Sequence, residues 1–516
     1  MSSSNQWSRV VFAGAAAAAV LALNGCGGGG GGGTPGVSSA PVDPSSGLVA
    51  SSSVADRCVA PRGSTVLDEN GNRYPDLQGT PLDEKTWVRS WIDETYLWYA
   101  DVRALSAAVR SAGNYSSPQT YFDALKSPLI TASGKAKDQF HFIYDTPTWV
   151  ALSRSGTSYG YGFEFVLSPN TVPRKAVIAY TNAGTPATTN GIARGAQILK
   201  VDGVDLVNDN TNAGVDTLNA GLFPEVAGPH SFTVLDLGAT TPRTFTMTAA
   251  ALSPSTVQNV KTLPAPNQSV GYMQFNDHLA TSEAQLVDAI NQLKTAAITD
   301  LVLDLRYNGG GYLDIAAELA YMIAGPTNTN GKLFEQQIFN DKNPFQLTAA
   351  QTVTPFYSAA PGGFSLASGT QLPTLNLSRV FVLVGAATCS ASESIVNGLR
   401  GAGVAVNLIG ATTCGKPYGF YPQDNCGTTY FSIQFRGVNA LGQGDYADGF
   451  TPTCAASDDF THALGDPSEG RLAAALSYRT NGVCAASAMS QAQRVAASDA
   501  APLRTPLREN RLYRRP

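Results

Sequence analysis

From residue 86 to residue 99 the order TWVRSWIDETYLWY sets Trp87, Trp91, Tyr96 and Trp98 at helical spacing among acidic positions. This predicts a small helical N-terminal unit over residues 58–150, with its aromatic residues packing against the next domain. Between 155 and 250 the pattern changes. β-Branched runs at 176–180, 198–201, 232–235 and 244–248 alternate with Gly, Pro and Asn turns, which predicts a small mainly-β unit. From 256 to 484 strands and helices alternate. Strands are expected at 270–275, 300–305 and 380–385, and helices at 282–294, 315–323 and 393–399, with Leu286, Ile290 and Leu293 on one face of the first helix. A less regular insertion fills about 328–375. The expected fold is therefore multidomain α/β, with a mixed sheet and flanking helices preceded by a helical unit and a mainly-β one.

The two ends depart from this pattern. Arg9 and the apolar run 10–23, too short for a stable membrane-spanning helix, make residues 1–25 an export signal. Leu23-Asn24-Gly25-Cys26 resembles a bacterial lipoprotein box, which implies lipidation of Cys26, a membrane anchor and a place in the cell envelope, on its periplasmic or cell-surface face. The seven glycines 27–33 and the Ser/Pro-rich stretch after them cannot form a core, so 26–57 reads as a tether. Residues 485–516 are Ala/Ser-rich, carry six arginines and read as a disordered tail.

Composition narrows the chemistry. A net charge of −5 and a pI near 5.5 offer no basic face for nucleic acid, so no nucleic-acid partner is expected. Apart from Cys26 there are six cysteines, and outside the cytoplasm they are free to pair. Six allow fifteen connectivities. The short loop favours Cys414 with Cys426, and then Cys454 with Cys484. With four histidines and no C-x-x-C spacing, neither a metal site nor a cofactor is expected.

The chemistry-bearing positions lie at strand ends. Ser390 stands where a strand turns into a helix, and the order Ser390-x-x-Glu393 is a capping box. The same location would present the hydroxyl as a nucleophile beside a helix N-terminus, with Ser392 as the neighbour that could be confused with it. Lys416 is the only lysine after Lys342 although arginines are plentiful there. A desolvated lysine can act as a base, which an arginine cannot.

Taken in order, Asp304-Leu305-Arg306-Tyr307-Asn308-Gly309-Gly310-Gly311, Thr388-Cys389-Ser390-Ala391-Ser392-Glu393 and Thr413-Cys414-Gly415-Lys416 resemble the carboxyl-terminal processing, or tail-specific, serine peptidases. The resemblance implies a Ser390 nucleophile with a Lys416 base, and an oxyanion hole from the backbone of Gly310 and Ala391. Arg306, Asn308 and Glu393 would be scaffolding that holds the two loops. The family carries a glutamine four positions after the lysine, where this chain has Phe420, so Gln423 or Tyr418 is left to orient Lys416. Two stretches of the mainly-β unit, 160–163 and 191–203, resemble a PDZ domain. That resemblance implies that Gly160, Tyr161, Gly162 and Phe163 bind the free C-terminus of a protein or peptide substrate. Two other readings remain: a non-catalytic tethered protein that binds peptide tails, and a peptidase that pairs Ser390 with His278 or His141.

Overall fold

The computed structural model describes residues 47–68, 71–253, 255–484 and 502–503; the export signal, Cys26 and most of the two terminal segments lie outside them. The centre is a six-stranded mixed sheet in the order Val257–Thr262, Val270–Phe275, Asp300–Asp304, Arg379–Val384, Ala405–Gly410 and Cys454–Ala455. Only the first pair is antiparallel. Parallel strands need cover on both faces, and their sequences are accordingly apolar without alternation. The helices Ser282–Thr295, Leu313–Thr329 and Ala391–Gly401 supply the large core on one face. On the other face Leu472 and Ala475 of Gly470–Asn481 pack on Tyr272, Val302, Phe381 and Ile409.

The segment expected to be irregular, 328–375, contributes two strands to a four-stranded sheet, Val353–Pro355 and Leu333–Phe339, which continues through Phe435–Val438 to Tyr418–Gly419. In the mainly-β unit Phe163–Leu167, Ala176–Thr181, Gln197–Val201, Gly228–Leu235 and Arg243–Leu252 pair in that order, all antiparallel, around a core that includes Tyr161, Phe165, Ile198 and Phe232.

The N-terminal unit is built on the helix Pro81–Thr95, which opens on Pro81 and a capping box between Thr80 and Asp83. Its tryptophans do not pack on the mainly-β unit that follows in sequence. Trp87 lies 5.2 Å from Tyr430, far along the chain, and Tyr430 and Ile433 belong to the same core. The strand Phe142–Asp145 pairs with Thr428–Phe431, so residues 418–433 join the N-terminal unit to the central sheet. The last residues expected in the tether are folded as well: the Ser51 N–H and hydroxyl both donate to Glu94.

Three disulfides join Cys58 to Cys426, Cys389 to Cys414, and Cys454 to Cys484. The expected Cys454–Cys484 pair is present. The expected Cys414–Cys426 pair is not, because loop length says nothing of what the sheet brings alongside: the ends of two adjacent parallel strands place Cys389 beside Cys414, and Cys426 meets the N-terminal unit at Cys58.

Candidate active site

Three neighbouring parallel strands end on the same side of the sheet, and their following loops carry the three motifs. Asp300–Asp304 leads to Gly309, Gly310 and Gly311; Arg379–Val384 leads to Ser390; Ala405–Gly410 leads to Lys416. The carboxyl ends of parallel strands are where such sheets build their sites. Ser390, Ala391, Gly310 and Lys416 line one cavity of about 630 Å³.

Ser390 precedes the helix Ala391–Gly401 with φ 56° and ψ −119°, a conformation that a non-glycine residue holds only where its surroundings impose it. Two features impose it. The Ser390 N–H donates to Glu393 Oε2 at 3.1 Å, and the Cys389 N–H donates to the Asn308 carbonyl at 3.1 Å. Gly310 packs so closely behind that a Cβ there would lie 2.8 Å from both the Cys389 oxygen and Ser390 Cβ. Ser392 is separated from this role by burial, and its hydroxyl donates to the Asn308 carbonyl.

Glu393 is the hub. Fully buried, it accepts from the backbone N–H groups of Ser390, Gly415 and Lys416, the last at 2.8 Å, and from the Thr413 hydroxyl. Burial pushes its pKa up while these donors pull it down. One carboxylate thus fixes the Ser390 backbone against the Lys416 backbone, and the Cys389–Cys414 disulfide repeats the link covalently. Cys389 and Cys414 lie near enough to Glu393 to resemble a ligand cluster, but as disulfide partners they offer no thiolate to a metal.

Lys416 is buried, and its Nζ lies 4.2 Å from the centre of the Phe420 ring and 4.9 Å from that of Phe140. Phe420 thus stands against the lysine where the resemblance would place glutamine. Gln423 donates instead to the Asp424 carbonyl, and Tyr418 lines the cavity. Phe140 comes from the N-terminal unit, and nothing in its sequence context singles it out.

The other scaffold residues divide. Asn308 bonds through Oδ1 to the Gly310 N–H at 2.9 Å and to His278 Nδ1 at 3.0 Å, and its Nδ2 donates to the Phe275 carbonyl. Arg306 does not bridge the two loops: it is enclosed by Asp304, Asp458 and Glu469. Asp458 also pairs with Arg194 of the mainly-β unit and accepts from the Tyr307 hydroxyl. Burial opposes the charge on Asp458, yet Arg194 and Arg306 hold its pKa far below the ordinary carboxylate range.

Of the histidines considered as bases, His141 sits in the N-terminal unit against Asp138 and the Phe122 carbonyl. His278 lines the cavity, but complete burial drives its pKa down to about 3, too low for a base at neutral pH. In the mainly-β unit Tyr161 is a core residue whose hydroxyl donates to the Gly221 carbonyl, and Gly162 has φ 83° with no room for a side chain beside Thr185. Gly160, Tyr161, Gly162 and Phe163 are not among the cavity's lining residues; Ser158, Glu164, Tyr180 and Asn182 are.

Residues 269–420 match peptidase family S41, and residues 83–140 match the peptidase S41 N-terminal domain. Together the two matches cover 210 of the chain's 516 residues. The chain is 28% identical over 265 residues to a carboxyl-terminal-processing protease of Picosynechococcus sp., covering 51% of this chain and 56% of the relative. It is 25% identical over 331 residues to the chloroplastic C-terminal processing peptidase of Tetradesmus obliquus, covering 60% and 62%. The matches thus span about half the length of these curated relatives. The fold is that of a protein from Bacteroides fragilis described as an S41 protease, with TM-score 0.59 and 23% identity over 80% of this chain and 99% of that one.

Proposed function

We propose that the protein is a serine endopeptidase of the cell envelope that cleaves in or near the C-terminal segments of protein substrates, with Ser390 as nucleophile and Lys416 as base. The observation that carries this reading is the single cavity that holds a conformationally constrained serine and a buried lysine whose backbones meet on one carboxylate, Glu393. Ser390 Oγ attacks the scissile carbonyl and gives its proton to Lys416 Nζ; that proton passes to the departing amine as the C–N bond breaks, leaving an acyl-enzyme that water hydrolyses. The Ala391 N–H, in the first turn of its helix, is the first donor for the oxyanion. The Gly310 N–H is the second, and serves once it exchanges Asn308 Oδ1 for the substrate oxygen.

The mainly-β unit is read as the PDZ-like recognition domain, with Gly160, Tyr161, Gly162 and Phe163 at the start of its peptide-binding edge. Three disulfides among the described residues favour an exported protein, and Cys26 would anchor it to the membrane. Among the described residues no helix is long and apolar enough to cross a membrane.

The test is covalent. A fluorophosphonate should label Ser390 in the folded protein, and Ser390→Ala should abolish both labelling and cleavage of a peptide with a free C-terminus. A folded protein that is never labelled would favour the non-catalytic, tail-binding reading instead.

A further inference from the structure

The strand Phe163–Leu167 has a neighbour on each side. One is Ala176–Thr181, within the same unit. The other is the antiparallel pair Pro502–Leu503, with Pro502 opposite Val166 and Leu503 opposite Phe165. The edge that follows the loop of Gly160 and Gly162 is therefore already paired, by a segment from this chain's own C-terminal region. A sheet edge binds an extended peptide through its row of backbone N–H and C=O groups, so one occupant excludes another. Proline, which lacks an N–H, is suited to the outermost strand of a sheet. Pro502 is buried and also lines the cavity that holds Ser390 and Lys416. The segment thus stands both on the recognition edge and at the margin of the candidate active site.

We infer that the segment around Pro502 and Leu503 is an intramolecular ligand of this edge, which holds the strand position of an incoming substrate and restrains the enzyme until it is displaced or removed. The inference rests on reading the mainly-β unit as peptide-binding. Thirteen residues follow Leu503 (516 − 503), so the pairing uses an internal stretch of backbone rather than the chain's own carboxylate. A substrate that also engages the carboxylate loop through its terminus gains a contact this pairing lacks, which gives it a route to displacement. Seventeen residues separate Cys484, fixed to the core by its disulfide, from Pro502 (502 − 484 − 1). A ligand on so short a connection acts at an effective concentration on the order of millimolar. For a segment whose own affinity is about 100 μM, that weakens a competing free peptide roughly tenfold.

The experiment uses Ser390→Ala protein, in which no cleavage intrudes, and a fluorescein-labelled synthetic peptide of residues 499–508 read by anisotropy. Three forms are compared: the full chain, a chain ending at Cys484, and the full chain carrying Pro502→Asp with Leu503→Asp. The last keeps length and tether while placing a carboxylate at the buried Pro502 position. The truncated and doubly substituted forms should bind about tenfold more tightly than the full chain. Equal binding by all three, or binding by none, would overturn the inference. With Ser390 restored, the truncated form should cleave a reporter peptide with a lower KM. A truncated form that binds the peptide tightly but cleaves nothing would leave the self-ligand standing and remove the peptidase reading.

Discussion

Replacing both cysteines of the Cys389–Cys414 pair by serine removes a bond between the residue before Ser390 and the residue two before Lys416. The two are 25 residues apart in sequence. The chain-entropy estimate for a loop of that size gives about 3.5 kcal/mol of stabilisation through the unfolded state. If the peptidase core unfolds as one unit of some 230 residues, that corresponds to roughly 7–14 °C in Tm. Function should suffer as well. Without the disulfide the Lys416 loop is still held by the Gly415 and Lys416 N–H groups on Glu393 and by the Cys414 N–H on the Thr388 carbonyl. Hydrogen bonds contribute on the order of 1 kcal/mol each, and a displacement of about 1 Å at the base costs up to about a hundredfold in rate. The double variant, with its other two disulfides confirmed by peptide mapping, should show the Tm shift in calorimetry and a fall of at least tenfold in kcat with little change in KM. A Tm within 2 °C of wild type and an unchanged kcat would refute the idea that this disulfide holds the dyad together.

Three further outcomes are expected. Lys416→Arg keeps a long basic side chain but puts a permanently protonated group where the proposed base must be neutral, so it should fold and lose at least about a hundredfold in kcat/KM; near-normal turnover would place the base elsewhere. Gly310→Ala forces a Cβ to 2.8 Å from Ser390 Cβ at φ 97°, and should slow fluorophosphonate labelling more than it lowers Tm, the reverse of what a change confined to packing gives. Glu335 lines the cavity with its pKa pushed up to about 7 by burial, so its neutral form suits the fold: its contribution to stability is full below about pH 4.5 and is lost as pH rises towards 7. That loss is on the order of 3 kcal/mol. Glu335→Gln should therefore flatten the decline of the urea midpoint between pH 5 and 8, and parallel pH profiles for the two proteins would count against it.

The sequence made the central sheet legible because its strands are parallel and buried on both faces, which leaves uninterrupted apolar runs such as 270–275 and 300–305, and because helices of regular period separate them. The order of motifs at successive strand ends was legible for the same reason. What escaped depended on distant pairings. Tyr430 completes the core of the N-terminal unit across more than 300 residues, Phe140 reaches Lys416 across nearly as many, and Cys58 finds Cys426. No local period records such meetings. The strand Leu333–Phe339 was hidden in what looked like an irregular insertion because both its partners follow it at a distance in sequence, Val353–Pro355 after 13 residues and Phe435–Val438 after 95.

The site is composite in a way that bears on how the enzyme would be controlled. The central sheet supplies Ser390 and Lys416, the N-terminal unit sets Phe140 against the lysine, and the mainly-β unit lends Glu164, Tyr180 and Asn182 to the same cavity wall. That last unit is fastened to the sheet by buried charge. Arg194 reaches Asp458 and the Tyr307 hydroxyl, and Arg306 shares Asp458 from the sheet side. Breaking a buried pair by deleting one partner costs about 3–5 kcal/mol, because it leaves a charge uncompensated. The edge proposed for recognition is therefore held close to Ser390 by interactions that do not involve peptide, and polar contacts connect its unit to the sheet that carries Ser390. Tyr307 stands on that route, three residues before Gly310, stacked on Tyr180 at 5.7 Å. Packed and charged contacts thus run from the strand beside Phe163–Leu167 to the segment that leads into the glycine run behind Ser390.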